Sequence, residues 1–320
     1  MYDYSMEKLV WQMFILGTGS LDIPLKKGLG GVIFFTKDIQ SESQFKTLLS
    51  DIKRNAVIPP FLSIDQEGGR VERTENLRPK RLSARFAYEK GLFFLEKQVE
   101  EISSELARVG INLNFAPCVD VNTNPKNPII GERAFSNNPD DVIRGMNVFV
   151  NKSREFGVIP CIKHFPGHGD ADKDSHLTLP KIDLSIEEME RLHIIPFKNG
   201  IKNDIEMIMV AHLHCTCFDK EVLPASLSKN VIGYLRNELK YDGVVISDDM
   251  FMKGVQDYGN LEAVIMGLEA GLDMFIFRES DCDTLNMIEE LVKIVEKDEV
   301  LQKRVFESNK RIQILKNNYL

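Results

Sequence analysis

The sequence contains few cysteines and no long apolar run. Its five cysteines are an odd number spread over 320 residues, without the spacing of a disulfide scaffold. No stretch approaches the roughly 20 apolar residues that a membrane-spanning helix needs. The first residues carry acidic side chains and no basic region of the kind that opens a signal peptide. These absences predict a cytoplasmic protein, neither secreted nor integral to a membrane.

An excess of positive charge is also lacking. The net charge is -8 and the isoelectric point is near 5.4, which disfavours nucleic acid or an anionic membrane surface as a partner. With 43% hydrophobic and 28% charged residues, the composition is that of a globular protein with a substantial core. The sequence shows no internal repeat, low-complexity tract or linker, so we expect one domain over residues 1–320.

Short apolar runs recur along the chain, and helical patterns lie between them. Parallel strands that are buried on both faces have this continuous apolar character, so we interpret the runs as strands. The eight runs are Trp11 to Gly17, Gly31 to Phe35, Pro60 to Ile64, Ile111 to Ala116, Val158 to Ile162, Met207 to Ala211, Gly243 to Ile246 and Asp273 to Phe277.

The intervening segments have the periodicity of amphipathic helices. Eight strand–helix units in about 300 residues fit a (β/α)8 barrel of the TIM type. A doubly wound open sheet is the competing fold, because periodicity alone does not exclude it. The predicted helices are Ser41 to Asn55, Glu96 to Val109, Pro139 to Phe156, Ser185 to Asn199, Ser228 to Lys240, Asn260 to Ala270 and a closing pair within Asp283 to Lys316.

Polar residues accumulate just after these strands. The longest such stretch runs from Lys163 to His176 and holds three histidines, three aspartates, two lysines and two glycines. Because the C-terminal ends of barrel strands carry the catalytic groups, we expect the active site at this end of the barrel. Asp248 leaves the seventh strand, where a carboxylate is rigid and partly desolvated, as a nucleophile requires. The alternative is that Asp248 or Asp249 caps the next helix.

Asp174 and His176 stand two residues apart in the same stretch. In an extended loop, residues i and i+2 point the same way, so the carboxylate can orient the imidazole for acid–base work. The alternative is a solvated loop in which neither side chain meets a partner. The two residues alone do not decide between these interpretations.

Other polar side chains near the strand ends suit the hydroxyl groups of a sugar. These side chains would otherwise form ion pairs, helix caps or a satisfied buried histidine. They are Asp65, Arg73, Arg133, Lys163 and His164.

A metal site is a further alternative, because the stretch after the fifth strand contains possible zinc ligands, namely His164, His168, Asp170, Asp172, Asp174 and His176. His214, Cys215 and Cys217 form a second possible set for a soft metal. The chain has no HExxH motif and no cysteine pair with zinc spacing, so we expect no metal and no cofactor.

Four motifs, taken together, resemble the glycoside hydrolase family 3 β-N-acetylglucosaminidases of the NagZ type. They occur in the family's order between residues 64 and 250, and the strand pattern extends the resemblance over nearly the whole chain. The motifs are Ile64-Asp65-Gln66-Glu67-Gly68-Gly69-Arg70-Val71, Gly131-Glu132-Arg133-Ala134-Phe135, Lys163-His164-Phe165-Pro166-Gly167-His168-Gly169-Asp170 with Asp174-Ser175-His176, and Ser247-Asp248-Asp249-Met250.

The resemblance implies a retaining β-N-acetylhexosaminidase on a barrel. By position, Asp248 matches the family's nucleophile, and His176, oriented by Asp174, matches its acid/base. The same matching implies that Asp65, Arg73, Arg133, Lys163 and His164 bind the sugar. The Asp-Ser-His motif separates this branch from the β-glucosidases of the family, which take their acid/base from elsewhere.

The resemblance also implies a small-molecule amino-sugar substrate, either a muropeptide or a chitooligosaccharide-like molecule. In the NagZ-type enzymes it is a cytoplasmic cell-wall fragment, N-acetylglucosamine linked β-1,4 to 1,6-anhydro-N-acetylmuramic acid. We expect a monomer that binds no nucleic acid and no membrane. Two alternatives stay open: an N-acetylglucosaminide phosphorylase of the same family, and a non-catalytic barrel that binds muropeptides.

Overall fold

The computed structural model describes residues 5–171 and 179–320, and eight of its strands close into a parallel barrel. The two remaining strands, β6 (Lys181–Ile182) and β8 (His214–Cys215), pair with each other outside the barrel. The barrel strands are β1 (Phe14–Leu16), β2 (Gly31–Phe34), β3 (Phe61–Ile64), β4 (Leu113–Asn114), β5 (Ile159–Phe165), β7 (Met207–Val210), β9 (Val244–Asp249) and β10 (Met274–Phe277).

The barrel closes between its first and last strands. β1 pairs with both β2 and β10, and Phe14 lies opposite Phe275 with their rings 5.7 Å apart. Every residue of β1, β2, β3, β7 and β10 is buried. Helices cover the outside of the barrel while side chains fill its inside, so both faces of each strand are apolar. The prediction of a (β/α)8 barrel is confirmed, and the open sheet is wrong.

Helices connect the strands and complete the outer layer. They are α1 (Met6–Trp11), α2 (Asp22–Lys27), α3 (Glu42–Asn55), α4 (Ala84–Glu89), α5 (Leu92–Val109), α6 (Pro139–Glu155), α7 (Ile186–Glu188), α8 (Ile195–Lys202), α9 (Lys229–Gly233), α10 (Lys253–Gln256), α11 (Asn260–Ala270), α12 (Cys282–Val295) and α13 (Glu299–Tyr319). None of the helices in the described part of the chain has the length and hydropathy that a membrane span needs.

Each of the eight predicted strands overlaps a barrel strand, but the first prediction begins too early, and β5 and β9 extend three residues past their predicted ends. Trp11 is the last residue of α1, whose first turn is capped by the hydroxyl of Ser5, and β1 begins only at Phe14. Trp11 is fully buried in the core. An apolar run that belongs half to a buried helix and half to a strand cannot be divided by periodicity alone.

The predicted helix boundaries depend on local signals, and two of these are confirmed. Ser185 and Glu188 form a capping box, and Pro139 opens α6 behind the cap Asn138. Within the helix predicted from Ser185, residues Met189–Ile194 form a π-helical turn that the 3.6-residue pattern did not predict. The predicted closing pair of helices is confirmed as α12 and α13.

Lys316 on α13 lies buried at the end of the barrel where the strands begin. Its ammonium group donates to Gln12 Oε1 and to the carbonyl oxygen of Pro59, both at 2.8 Å, and lies 5.0 Å from the centre of the Phe61 ring. No carboxylate of the described residues pairs with it. Burial in this site lowers the pKa of Lys316 to about 7.

This pKa predicts a stability that depends on pH. Between pH 7 and about 10.4, the unfolded chain holds the Lys316 proton and the folded chain does not. The free energy of unfolding therefore rises with pH in this window, by up to about 1.4 kcal/mol per pH unit from this group. We expect Lys316→Met to flatten the rise, as measured by urea unfolding at pH 7, 8 and 9. The control is Lys310→Met, which replaces an exposed lysine of the same helix and should leave the rise of the unfolding free energy with pH unchanged. An unchanged slope in Lys316→Met would show that Lys316 stays charged when the protein folds.

Candidate active site

A pocket of about 340 Å³ opens at the C-terminal ends of the barrel strands. It brings together the predicted nucleophile and all five predicted sugar-binding residues. Apolar groups from Val71, Ile129, Met209 and Met252 complete its walls. The predicted residues that line it are Asp65, Arg73, Arg133, Lys163, His164 and Asp248.

A larger cleft of about 700 Å³ lies at the opposite end of the barrel, beside Gly243 and Val244, where β9 begins. None of the predicted site residues that the structure describes lines this cleft. Because catalytic groups of barrel enzymes come from the strand ends, the smaller pocket is the candidate active site.

The strand order explains how distant residues meet in this pocket. Asp65 follows β3, Lys163 and His164 belong to the end of β5, and Asp248 is the next-to-last residue of β9. All barrel strands are parallel, so their C-terminal ends lie at one rim. β5 is seven residues long, and its second half carries the buried side chains of Lys163 and His164 to the pocket.

The loop after β3 is held by its own side chains. The Gln66 amide oxygen accepts from the backbone N–H groups of Arg73 and Thr74, and its nitrogen donates to Glu72 at 2.6 Å. Gly68 has a φ of 99°, and a Cβ there would lie 2.4 Å from the carbonyl oxygen of Leu82. Glycine is therefore required for the turn that folds Val71 back against Gly68.

A network of buried charges forms the floor of the pocket. The ammonium group of Lys163 lies 2.6 Å from Asp65 Oδ1 and 2.7 Å from Glu67 Oε1, and the Lys163 side chain is only 2% exposed. Arg133 donates to both oxygens of Glu67, at 2.9 and 2.8 Å. These two bonds are the bidentate arrangement that a guanidinium forms with a carboxylate.

The members of this network stabilise each other's charges. Burial would raise the pKa of Glu67, but Arg133 and Lys163 outweigh it and hold that pKa below its ordinary value. Burial would lower the pKa of Lys163, but Asp65 and Glu67 raise it. Glu67 and Lys163 are therefore charged at neutral pH, and the pocket floor offers a ligand both donors and acceptors.

His164 is oriented by a carboxylate behind it. Its Nδ1 lies 2.7 Å from Asp120 Oδ2, and its Nε2 lies 3.4 Å from Arg133 Nη2. Asp120 can only accept and Arg133 can only donate, so the partners assign the proton to Nδ1. Asp120, fully buried, also accepts from the backbone N–H of His168 at 2.6 Å and from the Cys118 thiol at 3.2 Å.

Asp248 presents a half-buried carboxylate to the same pocket. Burial would raise its pKa, but the rings of His164 and His212, the N–H of Asp249 and the Lys163 charge hold it below its ordinary value. Asp248 is therefore ionised at neutral pH. Its neighbour Asp249 instead pairs with Arg278 at 2.6 Å and accepts from the N–H of Phe251, so the two aspartates have different roles.

The loop after β5 begins in tight contact with the barrel. Gly167 has a φ of 126°, and a Cβ there would lie 2.5 Å from the Cβ of His193. A Cβ at Gly169 would lie 1.8 Å from the carbonyl oxygen of Val121. The peptide bonds Lys163–His164 and Phe165–Pro166 are cis. The predicted acid–base pair, Asp174 and His176, lies outside the described residues.

The strongest metal-like cluster of the described residues consists of Cys118, Asp120 and His164, whose ligand atoms lie within 4.8 Å of one another. These atoms already bond to each other, at 2.7 and 3.2 Å. Burial and the neighbouring Asp120 raise the pKa of Cys118 well above its usual value, so this residue is a thiol donor. The donor set is therefore that of a hydrogen-bonded cluster.

The histidine of the second metal alternative belongs to a packed region. His214 pairs through the β8 backbone and lies 3.3 Å from the Leu223 carbonyl oxygen by its Nδ1. His212, before it, bonds to Ser226 Oγ at 2.7 Å and to the Asp249 carbonyl oxygen at 3.2 Å, which supports the end of β9. Neither histidine lines the pocket.

Four pocket or near-pocket residues were not predicted to bind the sugar or to act in catalysis, and of these only His168 was considered singly, as a possible metal ligand. Glu67 and Arg70 lie in the Asp65-Gln66-Glu67-Gly68-Gly69-Arg70 motif, and His168 in the stretch after Lys163, so the motifs contained the signal. Asp120 follows the short strand β4, and its place after a strand was the only available signal. The missed residues are Glu67, Arg70, Asp120 and His168.

Comparison with protein families agrees with this geometry. Residues 22–315 match the model described as the glycosyl hydrolase family 3 N-terminal domain. The β-hexosaminidase of Methylococcus capsulatus is 33% identical over 269 residues, which cover 82% of this chain and 79% of that protein. β-Hexosaminidase A of Pseudoalteromonas piscicida is 35% identical, and the match covers 77% of this chain but only 45% of that longer protein.

Solved structures show the same fold. The glycoside hydrolase family 3 β-N-acetylglucosaminidase from Paenibacillus sp. FPU-7 superimposes with a TM-score of 0.90 at 32% identity, over 98% of this chain and 62% of that one. A family 3 glycosyl hydrolase from Mycobacterium smegmatis gives a TM-score of 0.89 at 25% identity, over 98% and 97% of the two chains. The chain therefore belongs to glycosyl hydrolase family 3, and within it to the glycosidases of the β-hexosaminidase group.

Proposed function

We propose that this chain is a retaining β-N-acetylhexosaminidase that removes terminal β-linked N-acetylglucosamine. Asp248 is its nucleophile, and His176, oriented by Asp174, is its acid/base. Asp65, Arg73, Arg133, Lys163 and His164 hold the sugar. The observation that carries the proposal is the ionised, half-buried Asp248 carboxylate, which faces a pocket floor of charged donors and acceptors.

The environment of Asp248 suits nucleophilic attack. A carboxylate must be ionised to attack the anomeric carbon, and the groups around Asp248 lower its pKa. The N–H of Asp249 donates to Asp248 Oδ1 at 2.7 Å, and no side chain of the described residues donates to Asp248. The other oxygen is therefore available to form the bond to the sugar.

The position of the acid/base is supported by the two ends of its loop. His168, before the loop, lines the pocket. Leu179, after it, lies close to Gly254, near the pocket residue Met252. His176 stands eight residues after His168 and three before Leu179 in the sequence, a separation from the pocket that the chain is long enough to span.

The reaction then follows the double displacement of retaining glycosidases. Asp248 attacks the anomeric carbon while His176 protonates the departing oxygen, which gives a covalent glycosyl-enzyme. His176 then takes a proton from a water molecule as its oxygen attacks the anomeric carbon, the bond to the Asp248 carboxylate breaks, and the sugar leaves with its configuration retained. A histidine in place of the usual second carboxyl group places no second negative charge beside Asp248.

We further propose a cytoplasmic role in the recycling of cell-wall material. The natural substrate is then N-acetylglucosamine linked β-1,4 to 1,6-anhydro-N-acetylmuramic acid, with or without peptide. The support is the resemblance of the four motifs to the NagZ type. Turnover of this disaccharide by the purified chain, compared with chitobiose, tests the assignment, and a preference for chitobiose would contradict it.

The basic test compares an aryl β-N-acetylglucosaminide with the matching aryl β-glucoside. We expect Asp248→Ala to lower kcat for the first substrate by about a thousandfold or more. Added azide should restore turnover of an activated aryl glycoside and give the α-glycosyl azide, because it fills the space of the missing carboxylate. Asp257→Asn, an exposed carboxylate nearby in the sequence, should act like the unmutated chain. A fully active Asp248→Ala variant would eliminate Asp248 as the nucleophile.

The acid/base assignment predicts a dependence on the leaving group. We expect His176→Ala to slow the hydrolysis of poor leaving groups by about a hundredfold to ten-thousandfold. A dinitrophenyl glycoside needs no proton to depart, so its glycosylation step should slow far less. Pre-steady-state release of the two phenols measures this difference, and equal losses for both substrates would contradict the assignment.

Asp120 is expected to act on catalysis through His164. In Asp120→Asn, one acceptor oxygen becomes a donor that faces the N–H groups of His164 or His168. We expect kcat/KM to fall by about tenfold to a hundredfold. The effect should shrink strongly in a His164→Gln background, because the group that Asp120 orients is gone. Cys118→Ser keeps a donor to Asp120 and serves as the control. Equal losses in both backgrounds would show that Asp120 has only a structural role.

A further inference from the structure

The pocket has a buried floor and an exposed mouth, which form two separate regions. At its floor, the side chains of Lys163 and Arg133 are 2% and 12% exposed, and both are bound to carboxylates. At its mouth, Arg70 and Pro128 are exposed and lie beside Val71. A sugar held at the floor therefore leaves the mouth for whatever is joined to the sugar or attacks it.

The cations of the pocket are not all neutralised. Glu67 is shared between Arg133 and Lys163, and Asp65 pairs with Lys163. Arg70, in contrast, has no carboxylate partner among the described residues. Its single hydrogen bond there runs from Nη1 to the carbonyl oxygen of Pro128, at 3.0 Å.

The surroundings of Arg70 favour an anion. The bond to Pro128 fixes the guanidinium on the rim and leaves the rest of its donor fork unpaired in the described chain. Partial burial and the nearby positive charge of Arg133 lower the pKa of Arg70. A negative group placed here would therefore offset the repulsion between the two guanidinium groups. Guanidinium forks bind carboxylate and phosphate oxygens in a bidentate manner.

We propose that Arg70 forms an anion-binding position at the mouth of the pocket, for a carboxylate or phosphate group that lies outside the sugar site. This inference rests on the proposed function, which places the glycone at the floor. The anionic group has two possible sources. It is carried by the aglycone, as a carboxylate, or it is free inorganic phosphate that takes the place of water as the acceptor.

Paired substrates test the position. 4-Nitrophenyl β-N-acetylglucosaminide is neutral in its aglycone, and the 3-carboxy-4-nitrophenyl glycoside carries a carboxylate. For each variant, kcat/KM is divided by the value of the unmutated chain on the same substrate, which removes the difference in leaving groups. We expect Arg70→Gln to lower this ratio about tenfold more for the carboxylated substrate than for the neutral one. Arg70→Lys, which keeps the charge but not the fork, should fall between them.

A second part of the experiment, the phosphate arm, tests whether the anion is free inorganic phosphate. With the neutral substrate and added inorganic phosphate, this source predicts release of the sugar phosphate and a KM for phosphate that rises about tenfold in Arg70→Gln. Arg54→Gln removes the same charge from an exposed position on α3 and should leave both arms unchanged.

The outcomes separate the two proposals. A selective loss in the carboxylate arm assigns the anion to the aglycone, and one in the phosphate arm assigns it to the acceptor. Equal losses on charged and neutral substrates, with no effect on phosphate, overturn the anion position. A chain that cleaves neither glycoside overturns the proposed function instead. Calorimetry in the Asp248→Ala background, with the 4-carboxyphenyl glycoside and its uncharged phenyl analogue, then measures the Arg70 contribution without turnover, and equal weakening of both by Arg70→Gln would again overturn the anion position.

Discussion

The buried ion pairs of Lys163 organise the pocket. An isolated ammonium group in this position would cost several kcal/mol of desolvation, so it requires compensation at close range. Asp65 and Glu67 supply that compensation at 2.6 and 2.7 Å, and Arg133 completes the balance on Glu67. Such networks contribute little net stability compared with apolar packing. We infer that this one is retained because it presents fixed donors and acceptors to a polar ligand.

The two ends of the barrel use buried charge differently. At the end where the strands begin, Asp273 is fully buried. It accepts from the N–H of Val245 at 2.9 Å and from the Ser308 hydroxyl at 3.0 Å, and it pairs with Arg236 and Arg311. Its hydrogen-bonding capacity is filled by the protein itself. At the end that bears the pocket, Asp248 and Arg70 keep hydrogen-bonding capacity that no described residue fills. Satisfied charge fits a structural role, whereas unsatisfied charge at a pocket fits binding and catalysis.

Asp120 connects His164 in the pocket to the backbone of His168, which precedes the sequence segment with Asp174 and His176. One carboxylate bonds to His164 on β5 and to the backbone of His168, four residues later. The position of the His168 backbone is therefore coupled to the orientation of His164. In the proposed mechanism, this coupling places the sugar and the proton donor in one frame, as accurate positioning for catalysis requires.

The strands and the end of the barrel that bears the pocket were predictable from local pattern. Eight apolar runs marked the strands because both faces of a parallel barrel strand are buried, and Asp65, Lys163 and Asp248 could be placed at the rim because each follows or ends such a run. The capping box at Ser185 was equally readable, since it lies within four consecutive residues. Local signals failed at Trp11 and at the π-helical turn Met189–Ile194, where tertiary packing decides the backbone.

Only the tertiary structure decided which charges meet. The sequence by itself determined the barrel, its functional end and the residues available there. It did not reveal that Glu67 joins Lys163 to Arg133, that Asp120 stands behind His164, or that Arg70 is left without a carboxylate among the described residues. Partners 44 to 66 residues apart, such as Asp120 with His164 and Glu67 with Arg133, are brought together by barrel closure and strand register. The physical reason is that ion pairing acts over a few ångströms in space, whereas sequence patterns report neighbours along the chain.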